Sequence, residues 1–468
     1  MDSFALAVGV QSCFMLLCWL GADESYAVSA CATVHCPALM VTAPGSGHGK
    51  TTVTAALAHW HRSQGRRVRV FKTGPDFLDP MVLQCASGAP VQQLDLWMGG
   101  DAHCAELLHS AAMQADLILV EGVMGLYDGT PCSADLALRF GLPLLAVIDA
   151  SAMAQTFGAV AHGMATYRPG LHMAGVLANR VGSARHMQML RESLPAGMSW
   201  CGALQRNASY GLPARHLGLV QAAEVSDMAA RIEAACAALS DAAVLQLPRE
   251  VVFEAPHGAA WPSDSGRPSA PLIGTTVAVA RDAAFSFLYP ANIDTLLALG
   301  ARLCFFSPLA NEPVPAAAHA LYLPGGYPEL HLKALASNTA MRESIIAHHA
   351  AGRPLVAECG GMLALLESLS DKQGNCAPML GLLPGQAAMA GRLVNLGMHS
   401  VMLPEGQVRG HTFHYARIEK HLPATLQTQA QRLRGQPEAV FRQGRLFASF
   451  MHMYFPSNPL AIAGLFKS

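Results

Sequence analysis

Apolar residues in this chain come in short unbroken runs, separated by stretches of helical composition. Residues 38–43 form the first such run; a glycine-rich turn follows, and residues 51–61 then have helical composition. Residues 68–71, interrupted by Arg69, are a second strand candidate, and runs at 116–120 (after Asp116), 144–148 and 174–177 repeat the pattern. A strand that is apolar on both faces must be covered on both faces, so this alternation predicts a parallel sheet between two layers of helices. The rhythm breaks at 248–275, which begins rich in Pro, Gly, Ser and Ala and reads as a linker. It resumes at 276–280, continues at 303–306, 320–323 and 355–357, and ends with a strand region at 445–455. The expected fold class is α/β, with two doubly wound domains, each built on a mainly parallel sheet. Their expected extents are 38–247 and 276–468.

The start of the chain does not fit this rhythm. Residues 4–20 are apolar apart from Gln11 and Ser12, yet no Lys or Arg precedes Lys50. A secretory signal begins with positive charge, and a membrane helix needs about 20 apolar residues with flanking charges. This segment carries Asp2, Asp23 and Glu24 instead, so residues 1–37 read as an extension outside either core.

Composition narrows the function classes. At 468 residues the chain exceeds one ordinary core, and 52% hydrophobic against 13% charged residues excludes a disordered chain. A formal net charge of -1 gives no electrostatic reason to expect nucleic acid or an anionic membrane as partner. Arg62, Arg66, Arg67 and Arg69 read as a solvated helix end. The 12 Cys include no CxxC pair, which argues against a structural zinc site and for reduced thiols in a cytoplasmic protein. A homodimer is left open.

Two stretches carry chemistry. The first is Gly45-Ser46-Gly47-His48-Gly49-Lys50-Thr51-Thr52, between an apolar run and a helical one. A glycine-rich turn opening a helix offers backbone N–H groups to phosphate; Lys50 adds a point charge and Thr51 a hydroxyl for Mg²⁺. The strict pattern wants Gly six residues before the Lys, where this chain has Pro44. A metal needs carboxylates. Asp76 and Asp79 lie in the loop after the second run, Glu121 at the end of the third, and Asp128 in the loop beyond. Acids at the carboxyl ends of parallel strands fall where α/β ligands bind.

Here the sequence resembles the cobyrinate / hydrogenobyrinate a,c-diamide synthase family. The resemblance rests on 43–52, on Phe71-Lys72-Thr73-Gly74-Pro75-Asp76-Phe77-Leu78-Asp79-Pro80, on 120–129 and 177–183, on Ala284-Phe285-Ser286-Phe287, and on Pro324-Gly325-Gly326-Tyr327-Pro328-Glu329-Leu330. It runs from about residue 38 onward. The N-terminal half is similar to dethiobiotin-synthetase-like P-loop proteins, the C-terminal half to class I glutamine amidotransferases. The family implies ATP- and Mg²⁺-dependent amidation of the a and c acetate side chains of a corrin ring precursor, through acyl phosphates and with ammonia from glutamine. It implies that Asp76, Asp79, Glu121 and Asp128 bind metal or shape the ATP and substrate site. It further suggests phosphate or substrate carboxylate for Lys72, and adenine for Asn179, with a plain turn role as the alternative.

The second stretch is Ala357-Glu358-Cys359-Gly360-Gly361. Small residues two before and two after a nucleophile permit the sharp turn that exposes it, and a helix N-terminus lowers a thiol pKa. The Gly360 N–H and the Gly325-Gly326 loop are the expected oxyanion donors. His452 is the expected base, with His399, His411 and His414 as competitors. Relatives commonly carry a second His two positions later, where this chain has Tyr454; the group that orients His452 is therefore open, and the Tyr454 hydroxyl is a candidate. The leading expectation is a glutamine-dependent amidoligase. The alternatives are amidation of another tetrapyrrole or polycarboxylate, and a P-loop ATPase binding module with an inactive second domain. Intact Cys359, Gly325, Gly326 and His452 argue against the last.

Overall fold

The computed structural model describes residues 33–211, 226–239, 243–255, 270–419, 423–432 and 435–467. The apolar segment at 4–20 lies outside them. Among the described residues, no helix is long and apolar enough to cross a membrane.

The N-terminal sheet contains seven parallel strands, in the order Gln92–Leu94, Val68–Thr73, Leu117–Glu121, Thr33–Thr42, Leu144–Asp149, Met173–Val181 and Trp200–Gln205. Alternation of side chains along each strand divides the core in two. Met40, Ile118, Val120 and Ala146 pack with Leu108 of helix Gly100–Ala112 and Phe157 of helix Thr156–Thr166. Leu39, Val41, Leu119 and Leu145 pack on the other face with Leu57 of helix Lys50–Ser63 and Leu83 of helix Leu78–Ser87. Both faces are dry, as the unbroken apolar runs require.

The first strand begins at Thr33, earlier than expected. Its half Thr33 to Pro37 pairs antiparallel with Glu250–Glu254, a strand inside the segment read as linker. Residues 33–37 thus belong to the sheet, and the chain returns to the N-terminal domain before crossing over. Val251 and Phe253 point into the core while Glu250, Val252 and Glu254 are exposed, a period-two pattern too short to stand out in a Pro/Gly-rich stretch.

The second domain repeats the plan with five parallel strands, in the order Arg302–Phe306, Thr276–Ala280, Ala320–Leu323, Leu355–Glu358 and Leu446–Ser449. Ala439–Gln443 and Leu426–Gln427 extend this sheet antiparallel. Two further four-stranded sheets occupy most of 368–453, a region the apolar-run pattern does not reveal. One of them brings His452–Met453 beside Gly406–His414, with His411 opposite His452.

Candidate active sites

The phosphate loop sits where its sequence predicts. Gly49, at φ 94°, turns the chain into helix Lys50–Ser63, and a side chain there would also collide with Asn179. Lys50 Nζ donates to the carbonyls of Gly45 (3.0 Å) and Met124 (2.6 Å). Burial, then the charge of Lys72, pushes the Lys50 pKa down to about 8. Ser46 and Gly47 are exposed at the mouth of the loop, and Thr51 and Thr52 are half-buried behind it. His48 Nδ1 accepts the Asp149 N–H (2.8 Å), and Asn179 Nδ2 donates to the His48 carbonyl (2.8 Å). Asn179 is buried and its amide oxygen takes the Arg180 N–H, so this side chain braces the loop and keeps one amide hydrogen and one lone pair for a further partner.

Behind the loop lies a cluster of buried ions. Lys72 Nζ, 2% exposed, reaches Glu121 Oε1 at 2.5 Å, Asp79 Oδ2 at 2.6 Å and Asp76 Oδ2 at 3.7 Å. Thr51 Oγ1 donates to the same Glu121 oxygen (3.0 Å), whereas Glu121 Oε2 is buried with no partner among the described residues. Burial opposes the charge of Lys72, but Asp79, Glu121 and Asp76 outweigh it and hold its pKa above the usual value. Burial, then Asp79, raises Asp76 to about 7; burial also acts against Asp79, yet Lys72 brings it down to about 2. Asp76 Oδ1 also accepts the N–H groups of Leu78 (2.8 Å) and Asp79 (3.3 Å), starting helix Leu78–Ser87. Asp128 Oδ2 takes the Gly125 N–H (2.8 Å) and lies within electrostatic range of Lys50, so it shapes the turn beside the loop. Among the described residues, no group of three or more His, Cys, Asp or Glu stands ready to hold an ion.

At the second centre, Cys359 adopts φ 44°, ψ -108°, a conformation an L-residue rarely takes, between strand Leu355–Glu358 and helix Gly360–Leu363. Such strain persists where the surroundings fix it, and here the Cys359 N–H is tied to the Ser449 carbonyl (2.8 Å). Gly325 stands between nucleophile and base: a Cβ on it would meet the His452 ring, with Nδ1 at 2.9 Å, and Cys359 Cβ at 3.4 Å. A Cβ on Gly326, at φ 157°, would collide with the Ala284 carbonyl, and one on Gly360 would meet the Gly326 backbone (O at 2.7 Å, N at 2.9 Å). The three glycines therefore bring the backbone of two loops into contact around Cys359.

Two expectations need correction here. The thiol pKa is raised, not lowered: burial dominates, followed by Glu329, and the following helix is a single turn. The Tyr454 hydroxyl does not orient the base. It shares a hydrogen bond with His103 Nε2 (2.9 Å) of the N-terminal domain. His452 Nδ1 is buried with no partner among the described residues, and burial pushes the pKa of this His down to about 3. The ring is held by stacking on His411 (centroids 5.0 Å, planes 19° apart), while Glu358 Oε1 accepts the adjacent Met453 N–H (3.0 Å). Of the competing histidines, His414 pairs with Glu438 (2.9 Å) and His399 with Thr428 (2.8 Å).

The residue that sequence reasoning passed over is Phe77. Although it lies between Asp76 and Asp79 in a quoted motif, an aromatic residue in a loop reads as packing. Its ring crosses the domain boundary, stacking on Phe287 (4.9 Å) and Tyr289 (4.3 Å) and lying 5.0 Å from the His452 ring. The two centres therefore face each other across one side chain. Arg409 Nη1 to the Trp97 carbonyl (2.9 Å) and Gln92 Nε2 to Asp294 Oδ2 (2.7 Å) secure the same seam.

Comparisons with known proteins match both halves. Residues 39–218 match the CobQ/CobB/MinD/ParA nucleotide binding domain, and residues 276–460 the CobB/CobQ-like glutamine amidotransferase domain. Hydrogenobyrinate a,c-diamide synthase of Stutzerimonas stutzeri is 58% identical over 434 residues, spanning 92% of this chain and 99% of its own. The enzyme of the same name from Pseudomonas aeruginosa is 57% identical over 431 residues, covering 92% and 97%. Cobyrinate a,c-diamide synthase of Herminiimonas arsenicoxydans is 46% identical over 434 residues, covering 92% and 96%. A nucleotide loop and a cysteine elbow joined in one chain, with full-length relatives of this kind, place the protein in the cobyrinate / hydrogenobyrinate a,c-diamide synthase family.

Proposed function

We propose that this protein amidates the a and c acetate carboxylates of a corrin ring precursor, using ATP and ammonia drawn from glutamine. Hydrogenobyrinate is the ring we infer, since the relatives at 58% and 57% identity carry that name. The observation that carries the reading is the direct apposition of the two centres, with Phe77 of one against His452 of the other.

In this mechanism Lys50 exchanges its two carbonyl partners for phosphate oxygens, and the N–H groups of 45–51 cradle the phosphates. A carboxylate oxygen of the ring attacks the γ-phosphorus, ADP departs, and the resulting acyl phosphate is open to ammonia. Phosphoryl transfer asks for positioning and charge neutralisation more than for covalent chemistry. Lys72 supplies a fixed positive charge beside the reacting groups, held in place by the acids around it. The oxygen donors Thr51, Glu121 and Asp79 suit Mg²⁺, which keeps water and phosphate ligands and needs only one or two carboxylates. The unpartnered Glu121 Oε2 fits such a role. Bound there with the nucleotide, Mg²⁺ would offset charge developing on the phosphates.

At the other centre His452 takes the Cys359 thiol proton as Sγ attacks the amide carbon of glutamine. The Gly360 N–H and the Gly325-Gly326 loop stabilise the oxyanion, the proton leaves with ammonia, and water hydrolyses the thioester. Ammonia then displaces phosphate from the acyl phosphate. The same reading makes the enzyme cytoplasmic.

The test is amidation of hydrogenobyrinate and of cobyrinate by wild type and Cys359→Ala, with glutamine or with ammonium as nitrogen source. Cys359→Ala should lose glutamine-dependent synthesis by about 10³-fold or more and keep ammonia-dependent synthesis. Equal loss with both donors would refute the division of labour. Preference of the wild type for cobyrinate would refute the ring assignment alone.

A further inference from the structure

Buried polar atoms without partners are few in a folded protein, because each forfeits a hydrogen bond it had in water. Here four of them mark the ground between the centres, with no partner among the described residues: His452 Nδ1, Ser286 Oγ, Gln93 Oε1 and Glu121 Oε2. His452 belongs to the glutaminase pair and Glu121 to the ion cluster around Lys72. Gln93 and Ser286 belong to neither, and they come from opposite domains. Gln93 is 2% exposed, and its Nε2 donates to the Asp76 carbonyl (3.1 Å), immediately before Phe77. Ser286 immediately precedes Phe287, whose ring lies parallel to Phe77 (4.9 Å, 3°) and whose N–H donates to the Gly325 carbonyl (3.0 Å).

A continuous chain of contacts therefore joins the glycine loop beside Cys359 to the carboxylates beside Lys72. It runs from Gly325 to Phe287, from Phe287 to Phe77, and from Phe77 along the backbone to Asp76 and Asp79. Phe77 is the one side chain in it that touches the base and also belongs to the phosphate-site loop. Phe77, Gln93 and Ser286 also line an interdomain cavity of about 970 Å³. The ring thus borders open space on the side away from His452.

Building on the function proposed above, we propose that Phe77 is a positioning residue that gates the passage of ammonia between the two centres, with Gln93 and Ser286 as polar stations along it. With the ring against His452, Cys359 and His452 stay buried and the passage is shut. Engagement of Asp76 and Asp79 by nucleotide and ring substrate pulls on the residues either side of Phe77, moves its ring toward the cavity, and opens the way from Cys359 to the acyl phosphate. Ammonia, a small neutral donor and acceptor, is matched by the Gln93 carbonyl oxygen and the Ser286 hydroxyl.

The test measures glutamine hydrolysis with and without ATP plus hydrogenobyrinate, and the amide formed per glutamine consumed. In Phe77→Ala, stimulation of hydrolysis by ATP and ring should collapse to within about twofold of unity, and amide per glutamine should fall by about threefold or more. Ammonia-dependent amidation reports separately on the synthase centre. Phe77→Leu, which keeps an apolar plug and serves if the alanine variant fails to fold, should lie between the two. Unchanged stimulation and unchanged yield in a folded variant would overturn the gate, as would a wild type whose hydrolysis ignores ATP and ring. Failure of the wild type to amidate any ring with ammonia would instead overturn the function itself.

Discussion

At the phosphate-loop centre, Lys72 and Asp79 meet as a buried pair with charge already in place, beside Glu121, whose pKa burial raises, whereas at the glutaminase centre Cys359 and His452 are both held uncharged. The first arrangement is costly to bury and is retained because the ions satisfy one another. The second buries no net charge, although His452 Nδ1 has no partner among the described residues and forfeits a hydrogen bond. Phosphoryl transfer to a carboxylate brings anions together, so a fixed cation must be present from the start. Glutamine hydrolysis releases ammonia that is wasted if no acyl phosphate waits for it. A pair kept neutral until substrate arrives suits that task.

The largest expected effect breaks the charged side of this contrast. Glu121→Gln removes one carboxylate from Lys72 and places an amide where the orphaned Oε2 stands. Amidation should fall by about 10³-fold with glutamine or ammonium, while glutamine hydrolysis remains measurable. Retained synthesis would remove Glu121 from the mechanism. Gly325→Ala attacks the neutral side. Its methyl group would occupy the His452 ring position, so glutamine-dependent synthesis should drop by about 10²-fold with ammonium-dependent synthesis preserved. Equal sensitivity to both donors would show that the centres are not separable in this way.

A third variant probes how the neutral state is maintained. Burial lowers His411 well below its usual value, and His452 to about 3. Below pH 6.5 the unfolded chain binds protons that these folded histidines refuse. Their contribution to stability is thus complete above pH 6.5 and is lost as the pH falls toward 3. His411→Phe keeps a ring against His452 and removes one refused proton. The stability lost between pH 7 and pH 5 should shrink by about 2 kcal/mol, read from urea unfolding at the two pH values. An unchanged loss would mean that His411 takes up its proton without unfolding.

Much of this was legible in the sequence, for physical reasons that also mark its limits. Doubly buried parallel strands are mostly apolar, so the runs at 116–120 and 144–148 stood out, and the glycines at 45–49 and 360–361 announce turns tight enough for chemistry. The two smaller sheets drawn from 368–453 carry mainly antiparallel strands, partly exposed and without that signature. Glu250–Glu254 hides for the same reason. At the sites, motif spacing singled out Lys50, Cys359 and His452 because the chemistry proposed for them depends on local backbone. It misjudged the Tyr454 hydroxyl and the Cys359 thiol, and did not show the loop contacts of Asn179, because these depend on what folds against them. Phe77 is the clearest case: in sequence it neighbours two acids, and only the docking of the domains puts it on the glutaminase base.

Tyr454 gives the smallest effect and the sharpest discrimination. Its hydroxyl joins His103 Nε2 across the seam, and burial lowers the His103 pKa to about 4, leaving a neutral ring to share that bond. Tyr454→Phe deletes the bond and keeps the ring edge-on to Tyr289 (centroids 5.5 Å, 79°). A lost buried hydrogen bond of this kind costs about 1 kcal/mol, so the variant should be slightly less stable and its glutamine-dependent synthesis reduced by less than about threefold. Were Tyr454 the orienting partner of His452, glutamine-dependent synthesis would instead fall by about 10²-fold, with ammonium-dependent synthesis untouched. A small loss shared by both donors assigns Tyr454 to domain docking and leaves His452 positioned by stacking and by the Glu358-anchored backbone.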